Sequence, residues 1–117
     1  MRKLILLIIG GHLFLLWFLR FTAWPEMILW PYLVNKGLKL YQDIVIIYPP
    51  IFLLGLSFLG KIFGVTLINL KIYTWILIIL SDLLVYWVAK TVTKERLIGI
   101  VSLTFYVLWQ LFFEGNG

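Results

Sequence analysis

Residues 24–50 read WPEMILWPYLVNKGLKLYQDIVIIYPP. This stretch holds all four prolines of the chain and the charges Glu26, Lys36, Lys39 and Asp43. On either side of it the sequence is almost wholly apolar. Leu4–Leu19 precedes it, and three runs follow: residues 51–68, Ile72–Ala89 and Leu97–Phe113. A chain that stops once for charge and proline, then returns to apolar residues, reads as a membrane protein with one polar platform.

Composition supports that reading. Of 117 residues, 63% are hydrophobic and 13% charged, with a mean hydropathy of +1.06. Soluble chains are about 25% charged, so this one cannot cover a soluble surface. There is no cysteine, which excludes disulfides and thiolate metal sites. The single histidine, His12, cannot form a multi-histidine site. The net charge of +5 reads as loop charge that orients spans, not as a nucleic-acid surface.

The first run follows Arg2 and Lys3, as a signal peptide would. No small-x-small cleavage pattern ends it, so an uncleaved anchor is the better reading. Extended to Ala23 it makes a helix of about 30 Å, enough to cross a bilayer. Its basic start puts the N-terminus in the cytoplasm, in the plasma membrane of a cell. The second run opens with Pro49–Pro50, where a proline suits a first helical turn, and Lys61 within it snorkels to a headgroup. The expected fold is an all-α integral membrane protein. It has about four hydrophobic helices and a short helical outer loop between the first two, in a single region spanning residues 1–117.

Four simple spans create a conflict. With the N-terminus inside, Lys90, Lys94 and Arg96 would fall outside, against the positive-inside bias. One escape is that residues 49–68 do not cross cleanly, for example by re-entry. The sequence leaves that parity open.

Within the polar stretch, Thr22 can cap a helix starting near Trp24, with Glu26 in its first turn. Pro31 should kink or restart it. "PYLVNKG" then reads as a second short helix stopped by Gly37, and "YQDIVIIYPP" as an extended return to the bilayer. Trp24, Trp30, Tyr32 and Tyr41 suit a membrane–water boundary.

The ordered set Glu26, Trp30–Pro31–Tyr32, Gly37, Tyr41–Gln42–Asp43 and Pro49–Pro50, placed behind a first apolar span, resembles the N-terminal part of GT-C-type membrane glycosyltransferases. The similarity is to the protein-mannosyltransferase and lipid-A aminoarabinose-transferase group. "SDLLVYWVAK" followed by a basic turn is similar to that group's third span. The resemblance covers essentially the whole chain, but only the first part of such an enzyme, so the expected protein is an N-terminal fragment that is inactive alone. Two departures stand out. Pro25–Glu26 replaces an Asp-Glu or Gly-Glu pair, and Tyr48 replaces a basic residue before the double proline, which leaves a donor-phosphate contact there open.

The resemblance implies transfer of a sugar from a polyprenyl-phosphate donor to an acceptor at the outer membrane face. That chemistry needs a carboxylate to take the acceptor's proton or to hold a metal, and cationic or dipolar groups for the leaving phosphate. Glu26 and Asp43 are the catalytic candidates; Lys36, Lys39 and Tyr41 are the donor-binding candidates. Each has a plain alternative. Glu26 complements a helix N-terminus, Asp43 is a turn residue, the lysines are solvated loop charge, and Tyr41 shapes the loop. Inside the apolar runs, Asp82 and His12 read as structural polar residues that seek partners on other helices. No cofactor is indicated, and neither the sugar nor the acceptor is specified. A second class of function is a small non-enzymatic membrane protein, either a packing subunit or a carrier of lipid-linked sugars.

Overall fold

The computed structural model describes residues 2–46 and 49–113, the side chain of Phe113 excepted. Tyr48 and residues 114–117, where the fragment reading placed its break, lie outside the described residues. The described residues form five helices and no strand: α1 (Arg2–Phe18), α2 (Glu26–Asn35), α3 (Pro50–Phe63), α4 (Leu67–Thr93) and α5 (Arg96–Phe113).

The helices do not coincide with the four apolar runs. α1 ends at Phe18 rather than Ala23, so its 17 residues reach about 26 Å. Beyond it come Arg20, the β-branched Thr22 and then Pro25, which pushes its predecessor out of helical conformation. The second run splits. α3 has 14 residues, about 21 Å, and stops at Gly64 in the left-handed region (φ 85°). The end of that run instead starts α4, at Leu67 rather than Ile72. α4 spans 27 residues, about 40 Å. Among the described residues, α4 alone is clearly long and apolar enough to cross a membrane. The expectation of about four spans is therefore replaced by five helices with one clear candidate. Only 11% of the most apolar window of α4 is buried, unlike the core helix of a soluble protein.

The chain divides into two compact units, residues 1–22 with 75–117, and residues 23–74. The first holds α1, the greater part of α4, and α5. Ile9, Leu103 and Val107 form its core, with Ile5, Ile8, Ile79, Tyr86 and Leu111 packed around them. Gly99 lets α5 come close to α4: an added Cβ there would meet the Tyr86 ring at 3.0 Å and the Lys90 Cβ at 3.1 Å.

Two contacts set the direction of α1 against α4. His12 meets Asp82, and five residues further on Trp17 meets Trp75, with ring centroids 5.7 Å apart. Position rises along α1 while it falls along α4, so the two helices are antiparallel. α5 returns through the two-residue link Lys94–Glu95 and runs parallel to α1. Arg2 and Lys3 thus share one end of this unit with Lys90, Lys94 and Arg96. Thr22 leaves, and Trp75 re-enters, at the other end.

The second unit packs α2 on α3. Ile44, Ile46 and Leu53 are its buried centre, surrounded by Trp30, Leu33, Val34, Leu38, Leu40 and Phe52. α2 is one helix through Pro31, not the two short helices expected. The proline removes a single main-chain bond, and its ring is fully buried, so packing offsets the loss. Thr22 does not cap it; Pro25 occupies the N-cap position, with no side-chain cap bond. Gly37 (φ 98°) stops it in a Schellman arrangement. Leu38 N–H donates to the Leu33 carbonyl (3.2 Å) and Gly37 N–H to that of Val34 (3.0 Å).

Candidate functional site

Glu26 is the first residue of α2 and is exposed to solvent. A carboxylate there meets the positive end of the helix dipole. It stands one turn before Trp30 on the same helical face. Trp30, with Met27, Pro49, Phe52 and Leu53, lines an apolar cleft of about 230 Å³ at the start of α3. The arrangement is a charge one turn away from a greasy slot.

Asp43 has a different setting. The stretch after Gly37 is not simply extended; it closes a compact turn over residues 39–44. Asp43 Oδ2 accepts the Lys39 N–H (2.8 Å), and Asp43 N–H donates back to the Lys39 carbonyl (2.9 Å). Tyr41 sits at φ 66°, and its N–H reaches the Ile44 carbonyl at 2.9 Å. A short polar side chain that bonds its own backbone is what stabilises such a turn. Asp43, Lys39 and Tyr41 are brought together, all exposed. No hydrogen bond or ion pair joins Glu26 to Asp43 among the described residues. Lys36 lies over the Tyr32 ring, its Nζ 5.5 Å from the centroid.

Four residues that the sequence reading passed over hold this unit in shape. Asn35 Nδ2 donates to the Ser57 carbonyl (3.1 Å), while the Ser57 hydroxyl donates to Asn35 Oδ1. The pair ties the end of α2 to the middle of α3. At the α3–α4 junction Thr66 Oγ1 caps α4 by accepting the Asn69 N–H (3.2 Å). Asn69 Nδ2 donates to the carbonyls of Phe63 (3.0 Å) and Gly64 (2.7 Å), satisfying the end of α3. The signal was present in "TLIN", a threonine three residues ahead of a polar side chain inside an apolar run.

In the other unit, His12 Nδ1 lies 2.9 Å from Asp82 Oδ2, and both side chains are wholly enclosed. His12 Nε2, Asp82 Oδ1 and Gln110 Oε1 are buried without a partner. Among the described residues no three His, Asp or Glu side chains gather as a metal site would require. Compared with known protein families, with curated proteins and with solved structures, the chain matches none of them.

Proposed function

We propose that this chain is the N-terminal membrane region of a GT-C-type glycosyltransferase that moves a sugar from a polyprenyl-phosphate donor to an acceptor at the outer membrane face. The observation that carries the reading is the ordered set Glu26, Trp30–Pro31–Tyr32, Gly37, Tyr41–Gln42–Asp43 and Pro49–Pro50 behind a first apolar span. The antiparallel direction of α1 and α4 bears on its topology. That direction gathers Arg2, Lys3, Lys90, Lys94 and Arg96 at one end of a helical unit. Both basic groups then fall on one side, so the parity conflict disappears. The other five basic residues, Arg20, Lys36, Lys39, Lys61 and Lys71, stand beyond the opposite end, and the cytoplasmic assignment rests on Arg2 and Lys3 before the first span. In this reading α1, α4 and α5 cross the plasma membrane, with the N-terminus cytoplasmic. Residues 23–74 leave and return at the same end of the α1–α4–α5 unit, so they make no net crossing, and α3 is shorter than a simple span. Glu26, four residues beyond Thr22, then emerges at the outer boundary.

Three further features support a bilayer setting. Large apolar side chains stand exposed on every helix, among them Leu7 at 70%, Ile68 at 71% and Phe105 at 71%, which water would penalise. Thr74 and Thr104 turn their hydroxyls back onto carbonyls of their own helices, at 3.0 and 2.9 Å, as an apolar surrounding demands. The slot lined by Met27, Trp30 and Phe52 suits the first isoprene units of a lipid-linked sugar.

Within this reading Glu26 is the general base that takes the acceptor's proton. Asp43 shapes the turn that presents Lys39 and Tyr41, and Lys36 and Lys39 attract the donor phosphate. The test uses the open reading frame that carries this segment, supplied with a radiolabelled polyprenyl-phosphate sugar. Glu26→Gln should lower turnover by roughly 10²–10⁴-fold at unchanged expression. Near wild-type turnover removes Glu26 from the chemistry.

A further inference from the structure

The pair His12–Asp82 sits in a layer of the α1–α4–α5 unit that the proposed transferase chemistry leaves unused. A ring nitrogen and a carboxylate oxygen 2.9 Å apart require a proton between them, either on the nitrogen or on the oxygen. With only that proton the pair carries a net negative charge. Among the described residues no lysine or arginine pairs with it, and both side chains are at most 1% exposed. The one-proton state is an enclosed negative charge and the two-proton state is neutral, so gain or loss of one proton changes the charge held inside the unit.

The second proton has two places to go. His12 Nε2 and Asp82 Oδ1 are both buried and unpartnered. The pair therefore has two open ends. Gln110 Oε1, the third unpartnered atom, belongs to the same layer. Ile9 packs against Val107, and His12 and Gln110 each follow one turn later on parallel helices. Gln110 does not ionise. The other titratable side chains on these inner faces are Tyr86, one turn beyond Asp82, and Tyr106, beside Val107 on α5; α1 contributes none besides His12 itself.

We propose that His12 and Asp82 form a proton-exchange site inside the helical unit, switching between one and two protons. A proton arriving at Nε2 makes the imidazolium. The Nδ1–H bond then breaks towards Asp82 Oδ2, forming the carboxylic acid and leaving a neutral imidazole with its proton on Nε2. Nothing is oxidised or reduced, and the charge of the pair rises by one. The inference rests on geometry within one unit and stands whether or not the chain transfers sugars.

Because His12 is the only histidine, its ring ¹⁵N signals are unambiguous. The chain is reconstituted in lipid vesicles with ¹⁵N-labelled histidine, and spectra are taken as pH is stepped while helicity is followed. Both ring signals should shift together in one step, and an infrared carboxylic C=O band should appear in the same step and move in D₂O. In Asp82→Asn the band should vanish and the histidine step should move. Ring signals that stay fixed over the whole pH range in which the protein remains helical would overturn the proposal. So would a wild-type infrared spectrum without the exchangeable carboxyl band, a result that needs no variant to fold.

Discussion

Individual side chains decide how the polar stretch is held. Asn35 and Ser57 exchange two hydrogen bonds across 22 positions of sequence, in a half-buried setting. Asn35→Ala takes the acceptor from the Ser57 hydroxyl, at a cost of about 1–3 kcal/mol, read as an earlier loss of helical signal on denaturation in micelles. Gly55 is tighter still: a Cβ there would fall on the Tyr73 hydroxyl, which donates to the Phe52 carbonyl at 3.3 Å. Gly55→Ala should therefore displace Tyr73 and cost about 1–3 kcal/mol by the same measurement. The charged residues were legible in the sequence, because Glu26, Asp43, His12 and Asp82 stand out from apolar neighbours. Their partners were not. A turn bond from Lys39 to Asp43 is local and was open to reading. The meeting of His12 with Asp82 spans 70 positions, and no local pattern encodes it.

Helix ends were the least legible feature. Hydropathy sees residues 51–68 as one apolar run whose sole charge is Lys61, so it reads a single span. The break is made by backbone geometry at Gly64 and by the Thr66 cap, neither of which changes hydropathy. Thr66→Ala should weaken the α3–α4 junction by about 0.5–2 kcal/mol, whereas Thr66→Ser, which keeps the accepting oxygen, should stay close to wild type. Equal stability of the two variants would remove the cap from the explanation. Gly37 shows the opposite case. A glycine just past a helix is a strong stop signal, and it stands where the sequence puts it, in the left-handed region. Pro31 was over-read: the rule against interior proline prices one lost bond, and here the buried ring repays it through packing.

For the molecule as a whole, the all-helical character follows from composition, while the number of crossings does not. Apolar length alone gave about four spans and left Lys90, Lys94 and Arg96 on the wrong side. The direction of α1 against α4 supplies the missing constraint, and it comes from two contacts between distant residues. The chain has no cysteine, so single cysteines can be introduced one at a time at Lys3, Lys39, Lys61 and Lys94 without background labelling. An impermeant thiol reagent applied outside intact cells should label positions 39 and 61 and spare 3 and 94, which react only after the membrane is opened. Labelling of position 94 from the same side as position 39, with position 3 protected, would contradict the antiparallel arrangement and the outer platform built on it.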